Sequence, residues 1–191
     1  MSMTLYGSLP SPYVRRIRML LEGVDYHFEP VELYQDDTRA AFAQVSPIRK
    51  LPVLVDGEQT VFDSHVICDY VRRKQGLDPL SIDELNLVSA VDAVNDSLIV
   101  VFMGQRSGLE VSSDLLMFKL QLERIPDSLA WLNEQAKKGA FKDWGMATIS
   151  LISLLDWSEF RNLYDFSAYP ALLAARDAHR GRAIVGETFP Q

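Results

Sequence analysis

The sequence predicts two structural classes in one chain: an α/β front half that ends near Gly76 and an all-helical back half. Three observations carry this. Strand and helix signals alternate as far as Gly76, an Asp56-Gly57 hairpin interrupts that alternation, and strand signals stop beyond it. The 191 residues suffice for one large or two small domains, and 48% hydrophobic with 24% charged residues is the composition of a chain that buries a proper core.

Each element follows from local chemistry. Thr4-Leu5-Tyr6-Gly7 reads as a short strand, and Ser11-Pro12 then opens a helix. Serine caps a helix start, and proline suits the first helical position because its missing N–H would be unpaired there. Val14, Ile17, Leu20 and Leu21 recur at helical spacing until Gly23. Tyr26 to Leu33 is the second strand, and the polar stretch Gln35 to Ala43 a weakly patterned helix. Val53-Leu54-Val55, Asp56-Gly57 and Glu58 to Phe62 form a hairpin, since Asp-Gly tolerates the positive φ of a type I′ turn. Asp63-Ser64 starts a helix that turns Val66, Ile67, Tyr70 and Val71 toward the core and stops at Gly76. The order βαβαββα is a thioredoxin-like arrangement: a parallel crossover unit, then an antiparallel hairpin and a covering helix.

Residues 78–83 read as a linker, giving domains over 1–77 and 84–191. Ser81 with Glu84 forms a capping box, and the helix behind it runs toward Gly104 with Leu85, Val88, Val91, Leu98 and Phe102 in phase. Ser112 or Ser113 opens a second long helix, bent at Pro126 and ending near Gly139. Further helices cover Met146 to Trp157 and Pro170 to Arg180.

Charge and cysteine content narrow the function. A net charge of −7, from 26 acidic and 19 basic residues, repels nucleic-acid phosphates and anionic membranes. The cluster Arg15, Arg16 and Arg18 is too small to reverse this and reads as a solvated helix face. A single cysteine, Cys68, forbids a disulfide within the chain and fits a reducing compartment. No secretory signal pattern is present at the start, and no apolar run approaches the ~20 residues that cross a bilayer. A cytoplasmic location is the expectation. His27, His65 and His179 lack the paired spacing of a metal site, so no metal is expected.

Three short segments carry chemistry. Ser11-Pro12-Tyr13-Val14 stands where a thioredoxin-like fold would carry a Cys-Pro-Tyr-Cys redox pair, so dithiol exchange is excluded at this turn. A hydroxyl at a helix start still donates to a bound anion, with the free N–H groups and the dipole behind it. A thiolate so held would be favoured by about one or two pKa units, because a charged hydrogen bond contributes roughly 1.5–3 kcal/mol and one unit is ~1.36. Ser46 to Pro52 precedes the hairpin, and a cis Leu51-Pro52 bond would turn the Leu51 backbone groups toward Ser11. At Asp63-Ser64, a helix start would grip a carboxylate through Ser64 while Asp63 attracts an ammonium. Together the segments suit a peptide-like thiol with an amino-acid head.

The chain resembles the cytosolic glutathione S-transferases over nearly its whole length, most of all their bacterial serine- or cysteine-type members. Ser11-Pro12-Tyr13-Val14-Arg15, Lys50-Leu51-Pro52-Val53-Leu54, and Phe62-Asp63-Ser64 with Ile67 and Tyr70 carry the resemblance. It implies a cis Pro52, Leu51 paired with the cysteinyl backbone of glutathione, Asp63 and Ser64 on the γ-glutamyl end, and Lys50 on the glycyl or cysteinyl portion. It also implies a homodimer. Tyr13, Phe102 and Met103 are the candidates for an acceptor pocket that takes a small hydrophobic electrophile.

Departures and alternatives stand beside this. Arg49 occupies a position that is often glycine, and Leu51 one that is often valine or isoleucine. Gly145-Met146-Ala147-Thr148 replaces the Ser/Thr-x-x-Asp box common in a central helix of the family. Ser11 is the preferred thiol activator because it sits at a helix start, and Tyr6, at the end of the first strand, is its rival. Besides a transferase, the resemblance admits a non-catalytic regulator of the stringent-starvation type and another glutathione-dependent enzyme, such as an isomerase or dehalogenase.

Overall fold

The computed structural model describes residues 3–191. The chain divides into two units, one running to Leu80 and joined by Arg182–Gln191, the other Ser81–Gly181. The final ten residues therefore group with the front of the chain, whereas the sequence placed them in the helical domain.

The first unit has the order β1 (Met3–Gly7), α1 (Pro12–Leu20), β2 (Tyr26–Pro30), α2 (Asp36–Phe42), β3 (Val53–Asp56), β4 (Gln59–Phe62) and α3 (Ser64–Lys74), the thioredoxin-like order expected. Its four-stranded sheet runs β2-β1-β3-β4, with β1 and β2 parallel and the other pairs antiparallel. Alternation sorts the side chains onto two faces. Leu5, Leu54 and Val61 pack with Ile17 of α1, Leu21 at its C-cap, and Ile67 and Val71 of α3. Tyr6, Val53, Val55 and Phe62 face the other way, against Val31 and Phe42. The strand signal past Pro30 belongs to this second cluster: Val31 and Leu33 enter the core after the ladder has ended.

The hairpin turn is displaced by one residue from the Asp-Gly expectation. Asp56 pairs with Gln59, which leaves Gly57 and Glu58 as the central residues, with φ +63 at Gly57. Asp56 is needed elsewhere: its carboxylate accepts from Tyr70 Oη at 2.8 Å and from Lys74 Nζ, tying the hairpin to α3. These bonds, Lys74's first and Tyr70's second, hold the Asp56 carboxyl below its ordinary pKa. A depressed carboxylate stabilises the fold above its unfolded pKa, and the contribution disappears as pH falls through the folded value. Asp56→Asn is therefore expected to lower the urea midpoint at pH 7, and to match the parent chain once acid has protonated Asp56.

The second unit is helical throughout: α4 (Ile82–Arg106), α5 (Leu116–Lys137), α6 (Met146–Phe160) and α7 (Pro170–Asp177). α4 starts inside the stretch 78–83 assigned to the linker. Half of the predicted capping box forms, since Ser81 Oγ accepts from Glu84 N–H at 3.2 Å. The Glu84 carboxylate instead accepts from Met146 N–H at 3.1 Å. Gly145 offers α6 no capping side chain, and Glu84 replaces it from another helix.

Gly104 lies within α4 and does not end it. A Cβ there would meet Phe118 Cζ at 2.4 Å, so glycine lets the buried Phe118 ring close on the helix. α5 opens two or three residues later than expected, with Leu115 at its cap, and Ser112 Oγ accepts from Asp114 N–H in a local turn before it. Pro126 lies inside α5 without ending it. By length and composition α4 also corrects the hydropathy reading: an 18-residue window reaches mean hydropathy 1.6, as in a membrane-crossing helix. Half of that window is buried within the protein. Burial of Val88, Val91, Val94 and Leu98 accounts for the apolar content.

The chain closes on a short α8 (Ala183–Glu187), which the sequence did not reveal.

Candidate active site

Strand direction brings the predicted segments together. β1 ends at Gly7 and leads into α1. Antiparallel β3 begins at Val53, opposite Tyr6, and β4 ends at Phe62, opposite Val53. The starts of α1 and α3 and the Leu51-Pro52 peptide therefore lie at one end of the sheet. With strands ~4.8 Å apart, the ends of β1 and β4 stand about 10 Å from each other, with the start of β3 between them. An extended tripeptide spans about that length.

Ser11 is the N-cap of α1, and its Oγ accepts from Val14 N–H at 3.3 Å. A hydroxyl has two lone pairs and one proton, so this cap leaves the proton available to an anion. Tyr6, the rival, projects from the opposite sheet face, its ring 6.4 Å from that of Phe42. Tyr13 lies under the Arg16 guanidinium, 5.1 Å from it.

The Leu51-Pro52 bond is cis, and neither ladder at β3 reaches back to Leu51. The Leu51 side chain packs against the Val31–Phe42–Val53 cluster, while Lys50 is exposed. Arg49 has φ +51, the left-handed backbone that glycine adopts most readily, which gives a physical reason for the glycine common at this position.

At α3 the cap is Asp63 and not Ser64. The Asp63 carboxylate accepts from His65 N–H at 2.8 Å, and its backbone sits at φ +72, ψ +140. Such a conformation costs about 1–3 kcal/mol in a non-glycine residue, and strain of this kind concentrates at binding sites. Ser64, the first helical residue, is 3% exposed, and its N–H belongs to the set that has no intrahelical acceptor.

Phe102 and Met103 belong to the helical unit. Phe102 meets Trp157 edge-on at 6.1 Å and carries the Arg161 guanidinium at 5.4 Å, while Met103 is 38% exposed.

Two contributors escaped the sequence reading. Gly7 is one: a Cβ there would lie 2.3 Å from Val14 Cγ1, so the end of β1 must be glycine for α1 to sit where it does. A glycine closing a strand was the only signal. Arg15 is the other. It is 1% exposed and Arg16 0%, so the basic cluster is not a solvated face. Carbonyls and aromatic rings take up these guanidinium groups: Arg15 donates to Val185 O, and Arg18 lies 4.9 Å from the Phe28 ring.

Comparison with known proteins places the chain by family and fold. A family model described as the glutathione S-transferase N-terminal domain matches residues 5–79. Glutathione S-transferase Z1 of Arabidopsis thaliana is 30% identical over 127 residues, 65% of this chain and 54% of that protein, so the matched part spans about half of the relative. The uncharacterised GST-like protein YibF of Escherichia coli K12 is 30% identical over 174 residues, 84% of each chain. Among solved structures, a glutathione S-transferase of Methylobacillus flagellatus with glutathione bound shares the fold over 100% of both chains at a TM-score of 0.86 and 23% identity. A glutathione transferase family member of Pseudomonas fluorescens, also with bound glutathione, reaches 0.83 at 24% identity over 100% of both chains. With 30% identity to YibF over 84% of each chain, the protein belongs to the glutathione S-transferase family.

Proposed function

We propose that this protein is a glutathione transferase, which binds glutathione at the shared end of the sheet and activates its thiol for attack on a small hydrophobic electrophile. The observation that carries the reading is the convergence of two helix starts on either side of the Leu51-Pro52 peptide. Two solved structures of the same fold hold bound glutathione, which supports the choice of ligand.

The residues fit the tripeptide. Ser64 N–H and hydroxyl donate to the γ-glutamyl carboxylate, Asp63 attracts its ammonium, the Leu51 backbone pairs with the cysteinyl amide, and Lys50 approaches the glycyl or cysteinyl portion. Pro52 sets the start of β3 beneath this chain. Glutathione supplies a sulfur nucleophile once its thiol is deprotonated. Ser11 stabilises the negative sulfur by donating its hydroxyl proton in a hydrogen bond, aided by the α1 dipole. Its own pKa is far too high for it to act as the base, so the thiol proton passes to solvent. Tyr13, two residues beyond Ser11, is proposed to contact the electrophile, and no metal takes part. The proposal extends to a cytoplasmic homodimer, with neither nucleic acid nor membrane as partner. β4 is an open sheet edge, and Val66 in α3, expected to face the core, is instead 54% exposed, which suits a subunit border.

Ser11→Ala tests the assignment. The thiolate absorbance of bound glutathione is expected to titrate about one to two pH units higher than in the parent protein, with turnover near pH 7 reduced about 10- to 100-fold. Tyr6→Phe is expected to leave both unchanged. The reverse pattern would transfer the role to Tyr6. Retention on immobilised glutathione with no thiolate signal would identify a binding or regulatory protein, and a panel of acceptors separates conjugation from isomerisation and dehalogenation.

A further inference from the structure

Arg15 lies one turn beyond Ser11 in α1, and its backbone N–H donates to Ser11 C=O at 2.9 Å. Its side chain turns away from the site, toward the end of the chain. Nη2 donates to Val185 O at 3.0 Å, Nε to Thr188 Oγ1 at 3.4 Å, and the guanidinium lies 5.6 Å from the Phe189 ring. Arg15 and Thr188 are each 1% exposed. Thr188 Oγ1 is itself oriented, donating to Ile184 O at 2.6 Å. At the other end of α1, Arg182 pairs with Glu22 at 3.5 Å.

The chemistry is that of a helix C-terminus met by a cation. Among the last carbonyls of α8, those of Ile184 and Gly186 accept from Thr188 and Phe189 N–H, the Val185 carbonyl accepts from Arg15, and the dipole makes that end negative. A rigid guanidinium fork satisfies the Val185 carbonyl and the adjacent hydroxyl together, which a lysine ammonium does not reproduce. A nine-residue helix such as α1 has little stability of its own and needs tertiary contacts to keep its first turn in place.

We propose that Arg15 is a positioning residue for the thiol site. The C-terminal segment 182–191 clamps α1 through it, and the clamp holds the Ser11 hydroxyl at the distance that stabilises the thiolate. The inference rests on the assignment of Ser11 as thiolate donor. It makes residues 170 and 173 positions away in sequence part of the apparatus that tunes the thiol.

The test uses full-length variants and the titration of bound glutathione by thiolate absorbance. Arg15→Met keeps apolar volume and removes the fork, Arg15→Lys keeps the charge alone, and Thr188→Val removes one acceptor. Expected are a midpoint about one pH unit higher in Arg15→Met, a tenfold loss of thiolate below the midpoint, with smaller rises in Arg15→Lys and Thr188→Val. Glutathione affinity should change by less than about threefold, because the γ-glutamyl contacts at α3 are untouched. A residue that only stabilised the fold would lower the melting temperature and leave the midpoint of the folded protein in place, and that result overturns the proposal. Should Arg15→Met fail to fold, Thr188→Val and Arg15→Lys decide it by the same midpoint. Ser11→Ala separates the two readings. If it shifts the midpoint and the clamp variants do not, only the clamp is lost; if it does not, the Ser11 assignment falls and the clamp with it.

Discussion

Arg176→Ala is expected to lower the unfolding free energy of the helical unit by about 3 kcal/mol, the low end of the range for breaking a buried ion pair. Arg176, in α7, is 5% exposed, and its Nη1 lies 3.4 Å from Asp156 Oδ1 and 2.6 Å from Glu159 Oε1 of α6. Nε reaches Asp177 Oδ1 at 3.2 Å. The network joins α6 to α7 at one point. Asp156 is 4% exposed and stays in the interior when the guanidinium is removed, so its carboxylate loses a charged partner that water does not readily replace there. Glu159 and Asp177 are 43% and 52% exposed, and water can replace Arg176 around them, which is why the upper end of the range does not apply. Urea titration followed by helical circular dichroism measures the loss. The double variant Arg176→Met/Asp156→Leu removes both charges and should recover more than half of it. A loss below about 1 kcal/mol in the single variant would mean that the pair contributes no more than a surface bridge.

What the sequence discloses about this molecule divides along the reach of the interactions. Helix starts were legible at Ser11, Asp63-Ser64 and Ser81, because a cap is made by a side chain and an N–H two or three residues on. The same locality made the start of the candidate site legible, since two of those caps form it. Features decided across the fold were not. Glu84 was read as closing its own capping box, yet its carboxylate is taken by Met146, 62 positions away. The hairpin turn falls on Gly57-Glu58 because Asp56 still pairs with Gln59, and the Asp56 carboxylate is taken by Tyr70 and Lys74 of α3. Gly104 looked like a helix stop, and only the placement of Phe118 shows why glycine is needed there. Arg15 and Arg16 carry the signature of a wet surface, and no nearby residue signals that the end of the chain covers Arg15. The prolyl isomer at Leu51-Pro52 has no local signature at all.

Gly7→Ala should impair the site more than any substitution at the site's own polar residues except Ser11, although it adds only a methyl group. The added Cβ would stand 2.3 Å from Val14 Cγ1, 3.1 Å from Val14 Cγ2 and 3.0 Å from Phe28 Cε2. Carbon atoms pack at about 3.5–4.0 Å, so more than an ångström must be found. Val14 cannot supply it by rotation: it is 0% exposed and β-branched, with one strongly preferred χ1 in a helix. The first turn of α1 has to move, and the N–H of that same Val14 is the donor to Ser11 Oγ. Overpacking of this kind costs about 1–3 kcal/mol of stability. A displacement near 1 Å at a reacting group can reduce turnover about 100-fold. Combining Gly7→Ala with Val14→Ala removes both Val14 contacts and leaves only the 3.0 Å approach to the half-buried Phe28 ring, which a few tenths of an ångström relieve, while opening a gap in the core. Stability should then stay low while the glutathione thiolate midpoint returns toward that of the parent protein, because geometry and not core packing governs it. If Gly7→Ala alone keeps the parent's midpoint and turnover, α1 can shift without consequence, and the placement of its first turn is not what activates the thiol.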